Sequence, residues 1–227
     1  MPSKLLKTPV LPDKYYHIFN KANNNELIFK DDKDYQFFME HLAKLLADNI
    51  DIYAFCLMPN HFHLFIQPKY DSKSKGEGSI NESLRKLFQL YAQYFNKKYT
   101  RKGSLFYKSF RRIEIRNEVY LKYILFYIHY NPQKSRIVSD FTNYQYSSYR
   151  FYVSNKPSKL RKEIVLQWFD NSFKEFEQFH LECQERMFGI LSPETGLESL
   201  RDGVPQGWSP NGLESHFVLN LLENQFQ

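Results

Sequence analysis

Residues 51–67 read DIYAFCLMPNHFHLFIQ, two apolar runs separated only by Pro59-Asn60. A two-residue connection leaves no room for a crossover, so the two runs must pair as an antiparallel hairpin. Alternate residues of a strand share a face, which sends Phe62, Leu64 and Ile66 into one layer and His61 and His63 together into the other. Around this hairpin the periodicities predict a strand at Tyr15–Lys21, a polar turn at Asn23–Asn25 and a short extended piece at Leu27–Phe29. A helix follows, capped by Asp31 or Asp32, with Tyr35, Phe38, Met39, Leu42, Leu45 and Leu46 on one stripe that ends near Asn49. Ser79 and Glu82 have capping-box spacing for a second helix that carries Leu84, Leu87, Phe88, Tyr91 and Phe95 inward. Ser104–Ile115 is expected to be extended, and Asn117 caps a last helix, Glu118–Asn131, that Pro132 stops. The order β-α-β-β-α-β-α predicts an α+β fold, an antiparallel sheet with helices on one face.

The 227 residues give room for one large domain with an appendage, and 42% hydrophobic with 25% charged residues excludes global disorder and a polytopic membrane protein. No apolar run is long enough for a signal peptide or a span, and Cys56 and Cys183 have no zinc or disulfide spacing, so a reducing cytoplasm is the expected compartment. Charge is divided unevenly. Residues 1–153 hold 24 Lys/Arg against 14 Asp/Glu, a net +10, whereas residues 154–227 hold 7 against 11, a net −4. The chain therefore reads as a basic body, 1–153, and an acidic extension, 154–227. The extension has a linker at Ser154–Lys162, helical pieces at Glu163–Phe169 and Ser172–Glu185, and a Gly/Pro/Ser-rich stretch at Ser192–Asn211 expected to be loosely ordered. Pro68–Gly78 is expected to be a mobile loop.

From Arg85 to Arg112 there are nine Lys/Arg, no acidic residue and eight aromatics. Phosphates favour the cations and unstacked bases favour the rings, which points to a single-stranded polyanion partner. Lys97, Lys98, Arg101, Lys102, Arg111 and Arg112 are the candidate phosphate contacts, with Tyr94 and Tyr99 as stacking platforms. The aromatic share of 18% also points to rings at work on the surface. The same run equally fits a solvated helix face over ordinary core aromatics.

His61 and His63, on one strand face, can converge on one metal ion, or simply lie on a polar sheet face. Tyr127 and Asn131, in YIHYNP, are four apart and share one face of the last helix. If that face covers the histidines, the Asn131 amide oxygen can reach the ion and Tyr127 the phosphate the ion polarises. Taken alone, Tyr127 also fits core packing and Asn131 a helix C-cap. His17, on the first strand, either lies beside the site or, as the better fit, is a satisfied core histidine, and His41, His180 and His216 have no assigned role.

The strand MPNHFHLFI and the helix end YIHYNP, with flanking YHIFNK, DYQFFMEHL, YAQYFN and YQYSSYRFY, occur in order between Tyr15 and Tyr152. Together they resemble the REP-associated branch of the single-tyrosine HUH transposases, in which U is a hydrophobic residue. The resemblance implies a ferredoxin-like HUH nuclease sheet. It also implies a transposase that cleaves and joins single-stranded DNA at hairpin sites, binds no membrane, lies with the nucleoid and works as a monomer or homodimer. Carried over residue by residue, His61 and His63 are metal ligands, Asn131 is the polar third ligand and Tyr127 is the nucleophile that leaves a 5′-phosphotyrosine. Mg²⁺ or Mn²⁺ is the expected metal and no nucleotide cofactor is needed. Two other readings stay open: a hairpin-DNA-binding protein without productive cleavage, and a metal-dependent hydrolase using water. Ser147 and Tyr149 read as structural, and the acidic extension as a segment that restrains access to the basic groove.

Overall fold

The structure is a computed structural model that describes residues 10–69, 77–154 and 157–191. Residues 70–76 of the expected loop, the Ser192–Asn211 stretch and His216 lie outside the described residues.

Four strands form one antiparallel sheet: β1 (Tyr15–Lys21), β2 (Ile50–Met58), β3 (His61–Pro68) and β4 (Arg111–Ile115), in the order β2-β3-β1-β4. The Pro59-Asn60 hairpin closes as its length requires, with Met58 opposite His61. Helix α1 (Asp32–Leu46) opens on a capping box in which the Asp31 and Asp34 side chains each accept from the other's backbone amide. Helix α2 (Glu77–Lys98) starts ahead of the expected box, so Ser79 falls inside it. Both helices pack on the Phe62/Leu64/Ile66 face, where the Phe62 ring lies 5.2 Å from both Phe38 and Phe88. All five apolar residues expected to line α2 are buried.

Helix α3 (Glu118–Lys134) takes the opposite face, where Tyr127 meets His63, so the sheet is covered on both sides rather than on one. Hydrophobic period alone says that a helix has a buried face, not which side of the sheet receives it. Pro132 does not stop α3 either. A proline removes only its own N–H, the donor that Ile128 would have used, and the turn continues with Ser135 N–H donating to the Asn131 carbonyl at 2.9 Å. The helix ends at Lys134 and is closed two residues on by Arg136, whose φ of 56° is the left-handed conformation that closes helices.

The exposed edge of β2 is covered from both ends. Leu57 N–H donates to Tyr146 O at 3.0 Å, Ser148 N–H to Phe55 O at 2.9 Å, and Arg161 N–H to Ile52 O at 3.0 Å. Residues 144–152, which end in the short helix α4 (Tyr149–Tyr152), therefore act structurally, with the Tyr144 hydroxyl donating to Leu57 O at 2.7 Å and the Tyr152 hydroxyl to Tyr53 O. Beyond residue 153, helix α5 (Lys162–Gln167) and the first part of α6 (Phe173–Leu191) still belong to the same compact unit, which runs to His180. Trp168 stacks on Tyr53 at 5.7 Å, and Val165 and Phe176 are buried. The second unit begins at Leu181; among its described residues α6 continues with an i,i+4 pair between Glu182 and Arg186.

The aromatic excess goes mostly into this core. Among the described residues, the large exposed rings are those of Tyr107 and Phe173.

Asp34 joins α1 to α2. Its carboxylate is fully buried and accepts from Lys98 Nζ at 2.7 Å, the Tyr99 hydroxyl at 2.8 Å, Lys30 N–H at 2.8 Å and the Tyr94 hydroxyl at 3.1 Å. Removing one partner of such a cluster leaves the others desolvated and unmatched. Asp34→Ala is therefore expected to lower unfolding free energy by about 3 kcal/mol, read as a shift in the urea midpoint at unchanged slope.

Candidate metal and tyrosine site

The sheet register brings three histidines to the face under α3. Phe19 lies opposite His63 and His17 opposite Phe65, so His17, His61 and His63 all point the same way. The rings of His61 and His63 are 5.1 Å apart, and that of His17 stacks on His63 at 5.0 Å.

Hydrogen bonds orient the two HxH imidazoles. His61 Nδ1 lies 2.7 Å from the Asn60 side-chain oxygen, which only accepts, so Nδ1 carries the proton and Nε2 the lone pair. His63 Nδ1 is 2.8 Å from His17 Nε2, while His63 Nε2 is buried and has no hydrogen-bond partner. A buried polar atom in that condition calls for an explanation, and a metal ion supplies one. Burial, with the charge of Lys21 second, lowers His61 to about 4; burial followed by the neighbouring His17, His61 and Lys134 charges puts His63 well below the ordinary range. Both rings are thus neutral near pH 7, the form that binds metal.

Tyr127 closes the site from α3. Its ring sits edge-on to His63 at 5.6 Å and to His17 at 6.0 Å. Burial pushes the phenol up to about 12, against a smaller lowering by the Asn131 amide. Asn131 is buried one turn on, its amide donating to the Tyr127 carbonyl at 3.0 Å. The helix carries Tyr127 to the histidine face, with Asn131 buried one turn beyond it. Among the described residues no cluster of three or more His, Cys, Asp or Glu is set to hold a metal. His61, His63 and Asn131 could offer an ion two imidazole nitrogens and one amide oxygen, a donor set compatible with Mg²⁺ or Mn²⁺.

His17 is both a buried, hydrogen-bonded histidine and a neighbour of the site, as the partner of His63. One residue near the tyrosine was not legible in advance. Lys134, seven residues past Tyr127, places Nζ 5.4 Å from the centre of the phenol ring and is exposed. It supplies positive charge where a phosphate would approach.

The basic stretch divides differently from expectation. Lys98, Tyr94 and Tyr99 are engaged with Asp31 and Asp34, and Arg101 forms a bidentate pair with Glu26 at 2.6 and 3.0 Å. These four hold α2 and the loop after it to the body of the protein. Lys97 and Lys102 remain on the surface side of this region. Arg111 and Arg112, adjacent on the edge strand β4, point to opposite faces: Arg111 lies opposite Phe19 on the histidine face and Arg112 opposite Ile18 on the α1/α2 face. The exposed ring is Tyr107, between Lys21 at 5.3 Å and Lys108 at 4.7 Å. Lys21 is the register partner of His61, so this ring stands at the histidine end of the sheet.

No helix among the described residues is long and apolar enough to cross a membrane. No curated protein matches the sequence. Among solved structures, the fold is similar to a REP-associated tyrosine transposase bound to a REP hairpin, at 17% identity and TM-score 0.52 over 66% of this chain and 86% of that one. A protein from Deinococcus radiodurans R1 described as a transposase matches at 14% identity and TM-score 0.36, over 50% of this chain and 88% of the other. The family model described as "Transposase IS200 like" matches residues 11–131, which span all four strands, the HxH pair, Tyr127 and Asn131. With more than half the chain inside that match, the protein belongs to the IS200-like transposase family.

Proposed function

We propose that the protein cleaves and rejoins single-stranded DNA beside hairpins, through a covalent bond between Tyr127 and the 5′ phosphate. The observation that carries the reading is the position of the buried Tyr127 ring against His63, whose Nε2 is buried without a partner. A hairpin as the DNA feature follows from the fold's likeness to a transposase bound to one.

His61, His63 and Asn131 would hold a divalent ion, which when bound supplies charge neutralisation on the non-bridging phosphate oxygens. Asn60 and His17 orient the two rings by holding their Nδ1 atoms. Lys134 adds a cation beside the phenol. Tyr127 Oη then forms a bond to phosphorus as the bond from phosphorus to the 3′ oxygen breaks. The phenolic proton leaves and the departing oxygen ends as a 3′-hydroxyl. The linkage conserves the phosphodiester energy, so a later 3′-hydroxyl can reverse the step with no nucleotide cofactor.

The test uses hairpin oligonucleotides with single-stranded flanks, labelled at either end, incubated with Mn²⁺, Mg²⁺ or EDTA. The expected product is a denaturation-resistant protein–DNA band carrying the 3′-labelled fragment, present with metal and absent with EDTA. Tight binding with no adduct across varied hairpins would favour the binding-protein reading, and free 5′-phosphate products without adduct would favour the hydrolase. His63→Ala is expected to lower Mn²⁺ affinity by at least about tenfold in titration calorimetry without DNA; unchanged affinity would remove His63 from the ligand set.

A further inference from the structure

A cleft of about 580 Å³ opens on the sheet face opposite Tyr127, between α2 and the loop 103–110. That volume lies within the range of small-ligand sites, roughly 300–1,000 Å³. Phe88, Phe106 and Phe110 line its apolar part, with Phe88 5.6 Å from Phe106 and 5.3 Å from Phe110. Gln89, on the exposed turn of α2, and Asn81 bring side-chain amides to it. The cations Arg85, Lys108 and Arg112 line it and, among the described residues, no carboxylate does. Arg112 is only 8% exposed and donates to the Asn81 side-chain oxygen, so its guanidinium is fixed rather than waving in solvent.

The wall is preformed. Asn96 and Arg101 both donate to the Gly103 carbonyl, at 2.9 and 3.1 Å, and Arg101 also donates to Ser104 O at 2.9 Å. Ser104 Oγ donates to Phe106 O at 2.7 Å, and Phe106 is bridged to Ala22. The Asn20 amide holds the next stretch by donating to Lys108 O at 3.2 Å. A cleft with π-faces, amide donors and acceptors, and surplus positive charge matches one chemistry closely: a nucleobase attached to phosphate.

The cleft also has a marked route to the tyrosine site. Lys108 and Lys21 each place Nζ over the Tyr107 ring, at 4.7 and 5.3 Å, Tyr107 N–H donates to Lys21 O at 3.0 Å, and Lys21 is opposite His61. Lys108, Tyr107, Lys21 and His61 are thus linked pair by pair from the cleft to the histidine end of the sheet.

From these observations we infer that the cleft between α2 and loop 103–110 is a nucleotide pocket, which takes one unpaired base of the single-stranded flank while Tyr127 acts on the other side of the sheet. The inference rests on the single-strand reading above and adds a second, base-accepting site to it. Arg85 and Lys108 hold the flanking phosphates, the three phenylalanines face the ring, and Gln89 and Asn81 meet its polar edge.

The test is photocross-linking of the full chain with hairpin oligonucleotides carrying one 5-iododeoxyuridine at each flank position in turn, followed by peptide mapping. One position is expected to join its base to Phe88, Phe106 or Phe110, and Arg85→Glu with Lys108→Glu is expected to lower that yield at least tenfold. The Tyr127 adduct is scored in the same reactions. A Tyr127 adduct with no cross-link to those rings at any position overturns the pocket and leaves the cleavage reading standing. A cross-link there without a Tyr127 adduct does the reverse, and absence of both overturns both. Equal cross-linking at all positions, insensitive to the double substitution, also overturns the pocket, because a built base site selects one position.

Discussion

Tyr127→Phe is expected to reduce the covalent protein–DNA product to background, a loss of more than about 10³-fold, with oligonucleotide affinity changed less than about twofold. The substitution removes one oxygen from a ring that is 6% exposed and packed against His63 and His17, so the site keeps its shape. Adduct or strand cleavage persisting at more than a hundredth of the original rate would remove Tyr127 as nucleophile. The pH profile offers a second reading of the same step. Burial pushes the phenol up to about 12, so the tyrosinate is a minor form near pH 7 and its share grows as pH rises. Single-turnover cleavage at saturating metal is therefore expected to keep rising from pH 7 to 9. A plateau from pH 7 to 9 would instead mean that loss of the phenolic proton does not limit the rate.

Much of this site was legible because its determinants are local. The two-residue link at Pro59-Asn60 fixes the β2/β3 register, and the two-residue period of a strand then puts His61 and His63 together. The i,i+4 spacing of Tyr127 and Asn131 works in the same way on a helix. For His17 the sequence left a place beside the site open against a core role, because its contact with His63 depends on β1 pairing beside β3, 46 residues away, which no local pattern encodes. The same limit explains Lys98, Tyr94 and Tyr99. In the chain they resemble an open basic and aromatic surface, yet Asp34, 60 or more residues earlier, gathers all three. A charge run shows its sign but not the partners the fold returns to it. Arg85 and Lys108 lay within the basic stretch without being distinguished, since the cleft that gives them a role is made by packing loop 103–110 on α2.

His180 had no assigned role in the sequence and sits at the end of a buried polar chain. Its Nδ1 lies 2.8 Å from the Phe176 carbonyl, which can only accept, so Nδ1 carries the proton and Nε2 must accept. His129 Nδ1, 2.9 Å from that Nε2, is then the donor, and its own Nε2 accepts from Ser148 Oγ at 2.7 Å. Ser148 Oγ in turn accepts from Phe55 N–H at 2.9 Å. Every proton in the chain is assigned with both imidazoles neutral, and it ties the tyrosine helix to β2 and to the start of α6. Burial lowers His180 to about 4 and His129 well below its ordinary range. In the unfolded chain both take up protons near pH 6.5. Stability from this pair is therefore present above pH 6.5 and lost as pH falls toward the folded values, because the unfolded state then binds more protons. Two such groups give a limiting slope of about 2.7 kcal/mol per pH unit, large against a total of about 5–15 kcal/mol. His17 and His61, lowered by burial to about 3 and about 4, and His63 act in the same direction in metal-free protein. Urea titrations with EDTA at pH 7.5, 6.5 and 5.5 are expected to show a small drop over the first interval and a drop of at least about 2 kcal/mol over the second. A flat profile down to pH 5.5 would mean that these histidines are protonated in the folded state, and the tautomer chain from Phe176 to Phe55 could not then exist.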